Sequence, residues 1–353
     1  MFLKDFWYVA GFPEEFDQKL VARTFLNENV VLFRASDGAM VALEDRCAHR
    51  RLPLSMGRLD NDAITCGYHG LVFDCSGKCI KVPGQERIPK SARVRSYPVV
   101  DMHGYVWIWM GDPKSADEKT IPDFSPLSDP SLGRHRIGLH IEGNYKLIMD
   151  NLLDLSHLPY VHGTTTGNPP IAEQATVLNE RHGDTVLVMR WAKNVAPSRT
   201  FAEFGEYDEN IDVWSVSKFQ PPCYVSVNYG SLPATNGLPE KGIDHDTLWQ
   251  SGHWGFQVYQ GVTPETDVTS HQFRYILYEK GSADEAAAAE FYRQNDQIIN
   301  EDRVIYAAQQ KALLNDPIGA SADDLKSNSV IYADGGLELA REINESIAKN
   351  LDA

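Results

Sequence analysis

Apolar and polar positions alternate differently in the two parts of this chain. Up to residue 113, short apolar runs such as Val30-Val31-Leu32-Phe33, Met40-Val41-Ala42-Leu43 and Tyr105 to Trp109 are separated by turn residues, among them Ser36-Asp37-Gly38 and Cys75-Ser76-Gly77. Short β-rich runs bounded by Gly and Asp predict a small all-β domain over residues 1–113. Residues 114–133 contain three Pro and many Asp and Ser with little periodicity, which predicts a linker. From 134 to 353 the pattern changes. β-branched runs at Thr185 to Met189, Tyr224 to Asn228 and Ser270 to Tyr278 are bracketed by helical patterns at Tyr145 to Leu158, Ala286 to Leu314 and Leu337 to Leu351. Helices flanking an antiparallel sheet make the second domain, and the chain as a whole, α+β.

Within the first domain lie two short, similar boxes. Cys47-Ala48-His49 is followed, after the sixteen residues Arg50 to Thr65, by Cys66-Gly67-Tyr68-His69. Two thiolates on one iron and two neutral imidazoles on the other are the ligand set of a Rieske [2Fe–2S] cluster. Structural zinc also takes Cys2His2 sets, but its ligand pairs more often run Cys with Cys and His with His. Here each box mixes the two, and Gly67 and Gly70 let backbone N–H groups approach sulfur. The pattern therefore points to one-electron chemistry.

Composition narrows the remaining choices. At 353 residues with 42% hydrophobic content the chain supports two domains and a sizeable core. No apolar run approaches a membrane span, and the start Met-Phe-Leu-Lys-Asp lacks a signal-peptide pattern, so a cytoplasmic protein is expected. Of five Cys, the boxes use two. Cys75 and Cys79 have no further Cys or His pair to complete a site and read as ordinary hairpin residues, and Cys223 stands alone. The net charge of −16 is uneven: residues 1–110 carry 14 basic and 13 acidic side chains, the remainder 19 and 36. Such a chain is a poor nucleic-acid binder. The acidic part reads as a solvated surface; the alternative is that the more basic cluster domain docks an acidic electron donor.

The boxes, together with Phe6-Trp7-Tyr8-Val9-Ala10, Pro83-Gly84-Gln85 and Val106-Trp107-Ile108-Trp109-Met110-Gly111-Asp112-Pro113, resemble the oxygenase component of Rieske non-haem iron oxygenases. The likeness is greatest to the vanillate O-demethylase and toluenesulfonate methyl-monooxygenase branch. Respiratory Rieske proteins carry an extra Cys in each box; this chain has Leu52 and Tyr68 there, so that disulfide cannot form. The resemblance implies a helix-grip catalytic domain over residues 134–353.

A second constellation fits that implication. In Asn151-Leu-Leu-Asp154-Leu-Ser-His157-Leu-Pro159-Tyr-Val-His162, the residues Asn151, Asp154 and His157 recur every three positions and share one slowly drifting helix face. His162 lies five beyond His157, off that face, and Pro159 is expected to kink or end the helix so that His162 swings back. Two His and a carboxylate form the facial triad of a non-haem Fe(II) oxygenase, with positions open for O2. Asp302 is the candidate carboxylate, on the stripe Ile298, Asp302, Ile305, where a lone charge is costly unless paired or metal-bound. The segment Ile298 to Asp302 followed by Ala307-Ala-Gln-Gln310 also resembles the family segment bearing the aspartate ligand. Asp296 and Glu301 are the alternatives.

By the same resemblance, Asp154 bridges metal-bound His157 to the cluster ligand His69 of the next protomer in a homotrimer, its carboxylate accepting both imidazole N–H groups. Asn151 resembles the asparagine beside the iron; a buried structural amide would look the same. The implied activity is monooxygenation of a small aromatic compound, by O-demethylation of a methoxylated aromatic acid or by methyl hydroxylation. Ring dihydroxylation uses the same ligands, and a bare Rieske electron carrier would not need His157, His162 and Asp302. The chain shows neither a plant-type ferredoxin cysteine run nor a G-x-G-x-x-G after a strand. Electrons are therefore expected from a separate NAD(P)H-dependent reductase, with or without a ferredoxin. Trp254, Phe256 and Val258 alternate as pocket-lining or simply buried strand residues.

Overall fold

In the computed structural model, which describes residues 2–234, 254–279, 285–316 and 334–351, the chain divides into two units. The first is Met1–Asp123 with Thr263–Asp267, the second Phe124–Val262 with Val268–Ala353.

The first unit is built from eleven short strands: β1 (Trp7–Gly11), β2 (Val21–Phe25), β3 (Glu28–Arg34), β4 (Met40–Glu44), β5 (Arg58–Asp60), β6 (Ala63–Thr65), β7 (Val72–Phe73), β8 (Cys79–Lys81), β9 (Ser96–Tyr97), β10 (Val99–Met102) and β11 (Tyr105–Trp109). They form three sheets ordered β1-β11-β10, β2-β3-β4-β9 and β5-β6-β7-β8. Three of the hairpins close through two residues that both have positive φ: Leu26-Asn27, Asn61-Asp62 and His103-Gly104. Such turns match the right-handed twist of their flanking strands. The unbroken apolar run of β11 is explained by its place, since every residue of this central strand is buried.

The expected linker is partly structured. It holds single 3-10 turns at Glu118–Thr120 and Ser125–Ser128, the former capped by the Asp117 carboxylate on the Lys119 N–H. The long strand β12 (Leu132–Ile141) already begins inside it.

The second unit continues with α1 (Tyr145–Leu153), α2 (Leu158–Val161), α3 (Pro169–Gln174), β13 (Thr176–His182), β14 (Thr185–Val195), α4 (Arg199–Phe204), β15 (Ile211–Gln220), β16 (Tyr224–Pro233), β17 (Trp254–Pro264), β18 (Ser270–Glu279), α5 (Glu285–Leu314) and α6 (Gly335–Leu351). One antiparallel sheet runs β12-β18-β17-β16-β15-β14-β13. This is the expected α+β arrangement of a sheet gripping a long helix. No helix among the described residues is long and apolar enough to cross a membrane.

Two local expectations are corrected. The helix starting at Tyr145 does not run to Leu158 and break at Pro159. It stops at Leu153, because Asp154 is extended (φ −113°, ψ 101°) and its carboxylate takes the Ser156 N–H at 2.8 Å. A side chain that bonds the backbone two residues on competes with helix continuation. Pro159 instead sits in the first turn of α2, where its missing N–H is no loss. On α5 the buried stripe is Asn295, Ile298, Asp302, Tyr306 and Gln310, whereas Ile305 is 38% exposed. After Ile298 the stripe steps in fours, and Ile305, three beyond Asp302, falls on its solvent side.

Across the sheet, register places Trp214, Gly230 and Gly255 in one row on β15, β16 and β17. The Trp214 indole lies over Gly230, where a Cβ would come within 2.2 Å of the ring. Gly230→Ala should therefore displace a rigid ring and destabilise the domain by about 1–3 kcal/mol. Denaturant unfolding followed by tryptophan fluorescence checks this, and an unchanged midpoint would show that the row has slack.

Candidate metal centres

The two Rieske-like boxes fold into matching loops. In the first, the Cys47 N–H donates to Leu52 O (2.8 Å) and the Arg51 N–H to Cys47 O (3.0 Å). In the second, the Cys66 N–H donates to Leu71 O (2.8 Å) and the Gly70 N–H to Cys66 O (3.1 Å). The fourth residue after each Cys is left-handed, Arg51 at φ 62° and Gly70 at φ 73°. The second loop lies close against the 3-10 turn Leu54–Met56, since a Cβ on Gly67 would meet Met56 O at 2.9 Å. Both thiols are buried, and Cys47 and Cys66 lie close enough that burial, then each other's presence, pushes the Cys47 thiol pKa up. His49 and His69 are exposed, with ring centroids 4.7 Å apart. Sulfur donors below and paired imidazoles above suit a [2Fe–2S] cluster with one all-sulfur iron. Cys75 and Cys79 stay free thiols, one exposed and one buried.

In the second unit three side chains converge from two elements. The segment after α1 supplies His157 and His162, and α5 supplies Asp302. One ligand atom from each lies within 4.8 Å of the others. Asp302 Oδ1 is 3.1 Å from His162 Nε2 and 3.7 Å from His157 Nε2. Each imidazole is fixed from behind: His157 Nδ1 donates to the Asp154 carbonyl at 2.6 Å, and His162 Nδ1 to Glu301 Oε2 at 2.7 Å. That fixes the tautomer and leaves both Nε2 lone pairs for a metal. Burial lowers the His157 pKa although Asp302 opposes it. Burial acts the same way on His162, but Asp302 and then Glu301 outweigh it and raise that pKa.

Asn151 joins this group. Its Nδ2 donates to Asp302 Oδ1 at 3.3 Å and lies 3.4 Å from His157 Nε2, while Tyr306 OH donates to its Oδ1 at 2.8 Å. The Asp154 carboxylate does not reach His157 as expected. It caps the Ser156 turn, accepting from N (2.8 Å) and Oγ (3.0 Å), with Arg190 Nη2 3.9 Å away, and the main-chain carbonyl holds His157 instead. Of the alternative carboxylates, Asp296 pairs with His135 at 3.0 Å, and Glu301 stands behind His162. The roles of Glu301 and Tyr306 were not read from the sequence. Their one signal is spacing, one residue before and four after Asp302.

A cavity of about 50 Å³ adjoins the triad. Its sheet side alternates by two along Val227 and Tyr229, then Phe256, Val258 and Gln260, with Arg274 on β18; α5 contributes Asn295 and Ile298. Burial pushes the Tyr229 pKa up to about 12 against the pull of Arg274. Trp254 is not part of this lining. It packs with Phe201, Phe204 and Phe291.

Known proteins agree with this arrangement. Residues 6–98 match the Rieske [2Fe-2S] domain family and residues 141–350 the vanillate O-demethylase oxygenase C-terminal domain family. A putative toluene-4-sulfonate monooxygenase system iron-sulfur subunit of Comamonas testosteroni is 38% identical over 99% of this chain and 98% of its own length. The crystal structure of dicamba monooxygenase bound to 3,6-dichlorosalicylic acid superposes with TM-score 0.88 at 28% identity, covering 100% of this chain and 99% of that one. The same enzyme with non-heme iron and dicamba gives 0.79 at 27% identity, covering 99% and 98%. The chain belongs to the vanillate O-demethylase oxygenase family and is an oxygenase component of the Rieske non-haem iron type.

Proposed function

We propose that this chain hydroxylates a methyl carbon of a small aromatic compound, either an aryl O-methyl or a ring methyl group. It draws electrons in the cytoplasm from a separate NAD(P)H-dependent reductase, with or without a ferredoxin. The observation that carries this reading is the meeting of His157, His162 and Asp302 on the wall of the sheet–α5 cavity. In this reading Cys47, His49, Cys66 and His69 hold the [2Fe–2S] cluster, and the triad holds mononuclear Fe(II). When bound, these groups pass electrons singly and activate O2.

The chain's own residues hold and orient. Glu301 and the Asp154 carbonyl aim the imidazoles, and Tyr306 aims Asn151 at the shared face of Asp302 and His157. The apolar wall of Phe256, Val258 and Ile298 keeps water from the reacting carbon. One O2, two electrons and two protons are used per C–H bond: one oxygen atom enters as hydroxyl and the other leaves as water. On an aryl methyl ether the product is a hemiacetal, which loses formaldehyde to give the phenol. Asp154 links the centres between subunits of a homotrimer, its carbonyl on His157 and its carboxylate offered to His69 of the neighbouring copy.

Asp302→Ala should lose mononuclear iron and keep the Rieske absorbance, whereas Glu301→Ala should weaken iron binding by roughly 10- to 100-fold without abolishing it. Iron analysis with the reverse result would exchange the two roles. Asp154→Asn should retain both metals and slow electron transfer by roughly 10- to 100-fold, because the bridge loses its charge; full turnover would reject the bridge. The function itself is tested by turnover with a surrogate reductase, NADH and O2 on methoxylated, methylated and unsubstituted aromatic compounds. Formaldehyde release or gain of one oxygen atom supports the reading. Gain of two oxygens and two hydrogens would make the protein a ring dihydroxylase.

A further inference from the structure

Among residues Tyr224–Leu232 of the central strand β16, Tyr229 alone is not fully buried. Register sets it in one row with Ser215 on β15 and Phe256 on β17, and its ring stacks on that of Phe256 at 4.7 Å. It lines the cavity that His157, His162 and Asp302 also line. Burial and three charges act on its hydroxyl, and among the described residues no hydrogen bond does. One of those charges is Asp302, so the phenol stands within electrostatic reach of the triad. Burial, with Asp302, keeps the proton on the phenol against the pull of Arg274 and Arg190, and its pKa lies at about 12. Tyr229 is therefore a neutral donor at any working pH.

A hydroxyl withdrawn from water without a partner is costly, and a Phe would stack on Phe256 equally well. The oxygen is a burden at this position unless something that enters the cavity accepts from it. The amide beside the triad is already committed, Asn151 Nδ2 to Asp302 and Oδ1 to Tyr306. As it stands, the cavity of about 50 Å³ takes a diatomic molecule or a few waters, not an aromatic ring.

We infer that the Tyr229 hydroxyl donates a hydrogen bond to dioxygen held at the open face of the triad, which makes Tyr229 a catalytic residue of the reaction. It holds and orients; the phenol keeps its proton, and no bond forms or breaks on it. This rests on the reading of the triad as an iron site.

The test uses nitric oxide, a diatomic that binds ferrous iron without being consumed, added to the iron-loaded, reduced protein in the absence of oxygen. Electron paramagnetic resonance of the nitrosyl signal gives the affinity, and infrared spectroscopy reads the N–O stretch. In the wild type that stretch should shift on exchange into D2O. In Tyr229→Phe the affinity should fall about 3- to 10-fold, as for loss of one neutral hydrogen bond. The stretch should also rise and the D2O shift vanish, with iron content and Rieske absorbance unchanged and the melting temperature not lowered. A wild-type stretch indifferent to D2O overturns the inference without any variant. A D2O shift that survives in Tyr229→Phe assigns the hydrogen bond to another donor and overturns it as well. A wild-type protein that binds no mononuclear iron, and so forms no nitrosyl signal, defeats the metal-site reading and this inference with it.

Discussion

The catalytic unit is organised around one buried negative charge. Asp302 is 7% exposed, within the buried stripe of α5. A lone carboxylate there would cost several kcal/mol, so the surrounding fold must return that cost in contacts. It does so with His162 and His157 in front and the Asn151 amide alongside. Those partners lie some 140 to 151 residues away in sequence. The break after Leu153, the turn capped by Asp154 and the return of the chain to His162 bring them back to α5. The outer carboxylate, Glu301, then acts on His162 and not on the metal position, which keeps two acids on adjacent residues in different roles.

The cluster unit solves a simpler problem by local means. Its two boxes are near copies in backbone hydrogen bonding, so each loop needs only a few residues to present one thiol inward and one imidazole outward. Such short-range geometry is what a sequence reports well, and the four candidate cluster ligands were singled out from the make-up and spacing of the two boxes. His157, His162 and Asp302, which the fold brings together, were singled out too, the imidazoles because a Rieske-like pair of boxes lies upstream and the carboxylate from a charge interrupting an apolar stripe in a segment resembling the family's.

What was not legible depended on competition or on distance. Asp154 and Pro159 both signal a helix end, and nothing local ranks them; the side-chain cap prevailed. Ile305 was expected on the stripe with Ile298 and Asp302, but the stripe steps in fours after Ile298 and passes to Tyr306. Arg274 is one basic residue in a strand of alternating side chains, and only the pairing of β16, β17 and β18 reveals that it shares a face with Val227 and Phe256.

The size of the cavity bears on how selectivity arises. About 50 Å³ suits dioxygen or a few waters, while a cavity of roughly 150 Å³ is needed to hold benzene. The stacked rings of Tyr229 and Phe256, 4.7 Å apart, form part of its wall. A ligand must therefore spend part of its binding energy in parting its host, and only one that recovers that work through well-placed contacts can stay. The molecule that wedges the walls open in the right direction is favoured over the one that merely adheres.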